Sequence, residues 1–282
     1  MNVLFALMTL WITSSTVTPQ QQPPRLLKAE AGLQLYSLRN QLKQDLPGTL
    51  AWVKSQGITQ VEMAGLYGLT AAQFKAELDK AGLKATSMHA GYDRFTGDIA
   101  GVIAEAKALG IKYVGLPWYP HSGDVFTMAD AQKAAKDFNA FGKSLADAGL
   151  VFFYHNHGYE FQPWENGTLF DYIMTNTDPN LVKIEMDVLW VVFPGQDPAA
   201  LLRKYPGRYA LMHMKDLRQG VKGNLSGHGD DDISVAMGTG QTNWAEVFKA
   251  ARKGGVTEFF IEDEAAAVQQ QIPVSLKFLR GK

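Results

Sequence analysis

"VFFYHNHGYEF", residues Val151 to Phe161, begins as a buried strand and ends as something else. Its first four residues are β-branched or aromatic, and two imidazoles follow, His155 and His157, in a chain that has only six histidines. Apolar residues on both faces of a strand mark a parallel sheet covered by helices. An imidazole in such a place needs a polar partner. The stretch therefore predicts a strand of an α/β fold with a chemically active C-terminal end.

The same pattern recurs on either side of it. Strand-like runs are "AGLQLYSL" (31–38), "ITQVEMAG" (58–65), "KATSMHA" (84–90), "YVGLPWY" (113–119), "VFFYHNH" (151–157), "VKIEMDVLW" (182–190), "YALMHMKD" (209–216) and "EFFIEDE" (258–264). These make eight runs, each followed by a helical pattern. In "LTAAQFKAELDKAGL", Thr70 and Gln73 form a capping box, Gly82 supplies the left-handed stop, and Phe74, Leu78 and Ala81 share one face. "NWAEVFKAARKGG" repeats the scheme, with Asn243 as cap, Trp244, Val247, Phe248 and Ala251 inward, and Gly254-Gly255 as the stop. "DPAALLRKYPG" starts from Asp197 with Pro198 at the first helical position. Alternation at this spacing implies right-handed βαβ units and a parallel sheet. Eight units predict a single-domain (β/α)8 TIM barrel, with an open doubly wound sheet as the other topology.

Length and composition agree. A chain of 282 residues fits one barrel of about 250 residues plus an extension. An apolar content of 46% supports a sizeable core. A net charge of −1 provides no electrostatic footprint for nucleic acid. The extension is N-terminal: an apolar run from Asn2 to Ile12, then "TSSTVT" and "PQQQPPR". That run has the length of a signal-peptide core and is too short to span a bilayer, although no Lys or Arg precedes it. Residues 1 to about 25 are read as a signal peptide and linker, and 30–282 as the barrel. The expectation is a periplasmic or secreted protein with no stable membrane insertion after signal removal. The competing reading is an N-terminal arm.

The polar residues fall late in each run or just beyond it: Gln34, Glu62, His89, His155, His157, Asp187, His213, Lys215, Glu262 and Glu264. In a parallel barrel those ends converge on one mouth, where active sites are built. Strand alternation puts His155 with His157, Glu185 with Asp187, and Glu262 with Glu264 on shared faces. His155 or Glu160, together with Asp187, His213 and Glu262, can meet at one centre and suit a single divalent ion such as Mn²⁺, Mg²⁺, Co²⁺ or Zn²⁺. No pair has the HExxH spacing of a helical zinc site. Gln34, Glu62, His89, Trp118 and Trp190 are the expected substrate contacts. Each also has a plainer reading: His89 as a hydrogen-bonded structural residue, Glu62 as a loop anchor, the tryptophans as barrel filling. His121 and His228 read as surface residues, and Asp216 as pointing away from the mouth.

These residues give the chain its resemblance. "LQLYSLR", "GITQVEMAG", "YHNHGYEF", "IEMDVLWV", "HMKD", "MGTGQTNWAEVFKAARKGGV" and "FIEDE" resemble the sugar phosphate isomerase/epimerase family, the xylose-isomerase-like TIM barrels or AP-endonuclease family 2 domain, over essentially all of 30–282. The resemblance implies one metal, with Asp187, His213 and Glu262 as ligands. Where many members have a strand-five Glu this chain has His155, as in a subgroup with a YHNHxxEF strand. His157 and Glu160 are then expected to face the substrate, with Glu160, Glu262, Lys215 and His157 as the proton-transfer set. The implied activity is isomerisation or epimerisation of a free sugar or keto-sugar by proton transfer beside a metal-polarised carbonyl. Loss of one carboxylate keeps a lyase or hydratase on 3-keto-glycosides or polyols open. A sugar-binding barrel without chemistry and an AP endonuclease are further alternatives, the latter opposed by the few histidines and the charge. The expected partner is a small carbohydrate and not a nucleic acid; a homo-oligomer is left open.

Overall fold

The computed structural model describes residue 27 and residues 30–281 except residue 124. The apolar run 2–12 and the linker after it lie outside the described residues. Eight parallel strands close into a barrel: β1 (Ala31–Gln34), β2 (Gln60–Met63), β3 (Lys84–His89), β4 (Tyr113–Leu116), β5 (Val151–His155), β6 (Val182–Asp187), β7 (Tyr209–Met214) and β8 (Glu258–Ile261). Closure is made by β1 against β8, with Ala31 opposite Phe259 and Leu33 opposite Ile261. The principal helices are α1 (Leu46–Ser55), α2 (Ala71–Ala81), α3 (Ile99–Leu109), α4 (Met128–Asp147), α5 (Leu169–Thr175), α6 (Pro198–Lys204), α7 (Trp244–Gly254) and α8 (Val268–Leu279). The expected (β/α)8 barrel is what the chain forms. Among the described residues, no helix is long and apolar enough to cross a membrane.

The local signals act as read. Thr70 accepts from the Gln73 N–H at 3.2 Å while Gln73 Oε1 accepts from the Thr70 N–H at 2.8 Å, and Gly82 ends α2 at φ 68°. Asn243 and Asp197 cap α7 and α6 through the amides of Glu246 and Ala199. The strands, however, stop earlier than the apolar runs suggested. The run 31–38 leaves the sheet after Gln34 and turns through a 3-10 segment, Leu35–Leu38. The run 182–190 leaves it after Asp187 into a short helix, Val188–Val192. The cause is the polar residue itself: Gln34 Oε1 accepts from the Tyr36 N–H at 3.0 Å, and Asp187 Oδ1 from the Trp190 N–H at 3.0 Å. A side chain that bonds to backbone two or three residues on offers an alternative to the ladder and starts a turn.

Inside the barrel the period of two stacks the residues in layers. Tyr113, Phe153, Leu211 and Phe260 form a buried apolar plug. Two residues further along, β5 places His155, β7 places His213, and the end of β8 places Glu262. The His89 ring lies 5.6 Å from Phe153 and the His213 ring 6.4 Å from Phe260, so the polar layer rests directly on the plug. Space for the two phenylalanines comes from glycines on the facing strands. A Cβ on Gly115 would lie 2.1 Å from the Phe153 ring, and one on Gly32 would lie 2.6 Å from the Phe260 ring.

Candidate metal centre

The strand register brings the polar ends together. Gln34 is paired with Glu62, His155 with Glu185, and Asp187 with His213. Their side chains meet above the plug: one ligand atom each from His155, Asp187, His213 and Glu262 lies within 4.8 Å of the others. His155 Nε2 and His213 Nδ1 are each 3.9 Å from Asp187 Oδ2, and His213 Nδ1 is 2.8 Å from Glu262 Oε2. Asp187 Oδ2 is buried and has no hydrogen-bond partner. A buried carboxylate oxygen left unpaired among imidazoles is costly unless something positive joins it. Two nitrogens and two carboxylates suit a divalent ion such as zinc or manganese, so the residues present fit the implied group. A second group, His89, His155, Glu185 and His213, also clusters within 4.8 Å. Within it, His155 Nδ1 and His213 Nε2 already face Glu185 Oε2 at 3.0 and 3.1 Å.

The layer is strongly polarised. Burial alone lowers His213, but the carboxylates of Glu185, Glu262 and Glu62 outweigh it and hold the imidazole well above its ordinary range. Burial raises Glu185 and Glu262; His213 and the bonds from His155 and His89 hold Glu185 well below the carboxylate range, and Lys215 with His213 does the same for Glu262. Burial pushes Asp187 up to about 7 against Lys215 and His213, and lowers His155 to about 4. His157 is lowered by burial first and by His155 and Lys215 next.

A cavity of about 460 Å³ opens above this layer, with His89, His155, His157, Trp190, Lys215 and Glu262 in its wall. Lys215 is buried, ion-paired with Glu264, 3.8 Å from Glu262 Oε2, and 5.5 Å above the Trp190 ring. His157 presents a buried Nδ1 that has no partner and packs edge-on against Trp118.

Several expected placements need correction. Glu160 does not face the cavity. It is fully buried and its carboxylate accepts from Tyr154 Oη at 2.5 Å, the Gly158 N–H at 2.7 Å and the His157 N–H at 3.1 Å. The chain turns back at Gly158 (φ 96°) and carries Glu160 inward to saturate the amides of its own turn. Gln34 and Glu62 also lie beneath the cavity: the Gln34 amide donates to Glu62 Oε1, which in turn sits 2.6 Å from His213 Nε2. Trp118 reaches the cavity, but its indole stacks on His121 at 5.3 Å and on His228 at 4.9 Å. The Trp190 ring is similarly engaged by the Lys215 ammonium. Stacking on a sugar would have to displace these groups.

Other residues enter unannounced. Exposed His228, read as a surface residue, lines the cavity wall with Asp230 and Asp231. Nothing local in a Gly- and Asp-rich loop marks it; only the fold carries that loop over the mouth. Glu185 was legible, since it shares a face with Asp187. Asn156 fills the space between the two histidines of "HNH" usefully: its side-chain amide bridges strands, accepting from the Asp187 N–H at 3.1 Å and donating to the Asp187 C=O at 3.3 Å. Asp216 points away from the mouth as expected and gathers the amides of Gly238, Gly240 and Thr242 with the Trp244 indole.

Known proteins share this scaffold. Inosose dehydratase of Clostridium tetani is 37% identical over 98 residues, which is 34% of this chain and 32% of that protein. The chain thus matches about a third of the length of its curated relatives. A sugar phosphate isomerase/epimerase from Parabacteroides distasonis superimposes with a TM-score of 0.74 at 24% identity over 96% of each chain. The IOLI protein, solved with a bound zinc atom, superimposes at 0.69 with 13% identity, over 89% of this chain and 96% of its own. The profile of the xylose isomerase-like TIM barrels matches residues 50–281, on a barrel that closes as that name requires, and the chain belongs to that family.

Proposed function

We propose that the protein is a metal-dependent enzyme that removes a proton beside the carbonyl of an unphosphorylated keto-sugar or keto-polyol and then expels a leaving group. The observation that carries this reading is the inward turn of Glu160. The end of β5 offers the cavity two imidazoles and no carboxylate, so a mechanism with opposed carboxylates is not built here. His155, Asp187, His213 and Glu262 would hold the ion, which supplies Lewis acidity toward the carbonyl oxygen. His157, whose ring lines the cavity, is placed to take the proton from the carbon next to the carbonyl through a ring nitrogen. The same nitrogen can return it to the departing oxygen: one C–H and one C–O bond break, a C=C bond conjugated to the carbonyl forms, and water or an alcohol leaves. Lys215, fixed by Glu264, offers N–H groups to orient a substrate oxygen. Local similarity to inosose dehydratases supports elimination.

Among the described residues lining the cavity, Lys215 is the one lysine or arginine, and Glu262 and Glu264 already engage it; Asp230 and Asp231 add further negative charge. A phosphate dianion would enter against that field without a free cation to receive it. The apolar run from Asn2 to Ile12, read as a signal peptide, supports the same choice, because a periplasmic or secreted enzyme would meet free sugars. Epimerisation is the second reading, favoured by His157 and Glu262 entering the cavity wall from different strands. Incubating the Mn²⁺-loaded protein with an inosose and with a 3-keto-glucoside in D₂O separates them by NMR. Elimination yields a conjugated enone and free water or alcohol, whereas epimerisation leaves the mass intact apart from one incorporated deuteron. No change in either ketone would refute both.

A further inference from the structure

We infer that Glu185 is the positioning residue of the metal centre, a carboxylate that fixes the tautomer and ring plane of His155 so that its opposite nitrogen faces the ion. This rests on the metal reading above and adds to it a residue that does not itself touch the metal. Glu185 is fully buried on β6, two residues before Asp187 and on the same face. Its Oε2 lies 3.0 Å from His155 Nδ1, 3.1 Å from His213 Nε2 and 2.9 Å from His89 Nε2. Its Oε1 has no partner, so its hydrogen bonds run through one oxygen to two rings, His155 and His89, with His213 beside them as an ion-pair contact. An ionised carboxylate only accepts. The His155 nitrogen turned toward it must therefore carry hydrogen, which makes His155 the Nδ1–H form; His213 is bonded on both sides, Nε2 to Glu62 and Nδ1 to Glu262. The remaining nitrogen, His155 Nε2, stands 3.9 Å from the unpartnered Asp187 Oδ2.

The geometry also explains a single-residue spacing. Glu185 and Asp187 are one pleat apart, about 7 Å along the strand, and the His155 imidazole is held between them, hydrogen-bonded on one side and presented on the other. Ligating histidines commonly donate their second N–H to a carboxylate, which orients the ring and raises its basicity. Here Glu185 serves His155 and also holds His89, while Glu62 takes His213 Nε2 at 2.6 Å.

The test uses the full-length protein with Zn²⁺ as probe, read by chelator competition and by long-range ¹H–¹⁵N correlation of the histidine rings. The wild type should bind one Zn²⁺, with hydrogen on His155 Nδ1. Glu185→Gln should bind Zn²⁺ roughly 10–100-fold more weakly and lose the single-tautomer pattern of His155. Glu185→Asp, which keeps the charge, should recover part of the affinity and serves if the glutamine variant does not fold. Wild-type affinity with unchanged tautomers in Glu185→Gln would overturn the assignment. So would complete loss of Zn²⁺ there combined with retention in Asp187→Ala, because Glu185 would then be a ligand. If the wild type binds no Zn²⁺, the metal reading fails by itself. The metal-free spectra still decide the role of Glu185: His155 as the Nδ1–H form in wild type and mixed in Glu185→Gln upholds it, and the same pattern in both refutes it.

Discussion

His155, His157 and Glu160 lie within six residues of one another and are put to three different uses. His155 reaches the buried layer and faces Asp187; His157 stops at the cavity wall; Glu160 is consumed by the turn that follows. His155→Ala should therefore weaken Zn²⁺ or Mn²⁺ binding by about 10–100-fold, and Asp187→Ala should abolish it; metal analysis of the purified variants checks both. Glu160→Gln should leave the ion in place. It replaces a buried acceptor of Tyr154 Oη and two backbone amides by a group with one acceptor oxygen, at a cost of about 1–3 kcal/mol, seen as a lower denaturation midpoint. An emptied metal site in Glu160→Gln, with full occupancy in His155→Ala, would return Glu160 to the ligand set. The contrast shows which part of a site a sequence exposes. Asp187 and His213 follow from register, since one strand end fixes the depth of the next. Glu160 follows a Gly158 turn, and no periodicity states where a turn will aim a side chain.

At the scale of strands and helices, the site is held by what lies beneath it. The plug of Phe153 and Phe260 sets the height of His155 and His213, and it fits because Gly115 and Gly32 leave room for the two rings. Gly115→Ala puts a methyl group into the Phe153 ring, and the overpacking should cost about 1–3 kcal/mol. Because Phe153 precedes His155 by one pleat, the same variant should also loosen metal binding, an effect that calorimetric stability and chelator competition can measure separately. Unchanged metal affinity in a destabilised Gly115→Ala would show that the plug supports the barrel without tuning the layer above. The eight units and their caps were legible because they rest on local bonds such as those of Thr70 with Gln73. Strand ends were less so: Gln34 and Asp187 end their strands by capping the next turn, an effect that apolar runs conceal.

The whole barrel separates stability from chemistry along its axis. The buried titratable cluster lies at the C-terminal strand ends, whereas the N-terminal end of β1 serves packing and closure, the usual division in this architecture. The barrel begins at that quieter end, so removal of the expected signal peptide need not disturb the site, provided that the cut falls in the right place. Leu27 limits that place: it is 3% exposed and packs in the main core, and Glu30 Oε2 next to it accepts from the Thr59 hydroxyl at 2.9 Å. A mature chain should therefore begin before Leu27, in agreement with a break near residue 25. N-terminal sequencing of exported protein tests this directly. Chains started at residue 26 and at residue 30 test the physical reason. The first should match the full-length thermal midpoint. The second discards a buried leucine, a loss on the order of 2–5 kcal/mol, at roughly 2–4 °C for each kcal/mol in a domain of this size. Both should bind Zn²⁺ equally well at temperatures where both are folded, since neither change touches the mouth. A native N-terminus beyond Leu27, or equal midpoints for the two chains, would contradict the placement of the leader's boundary.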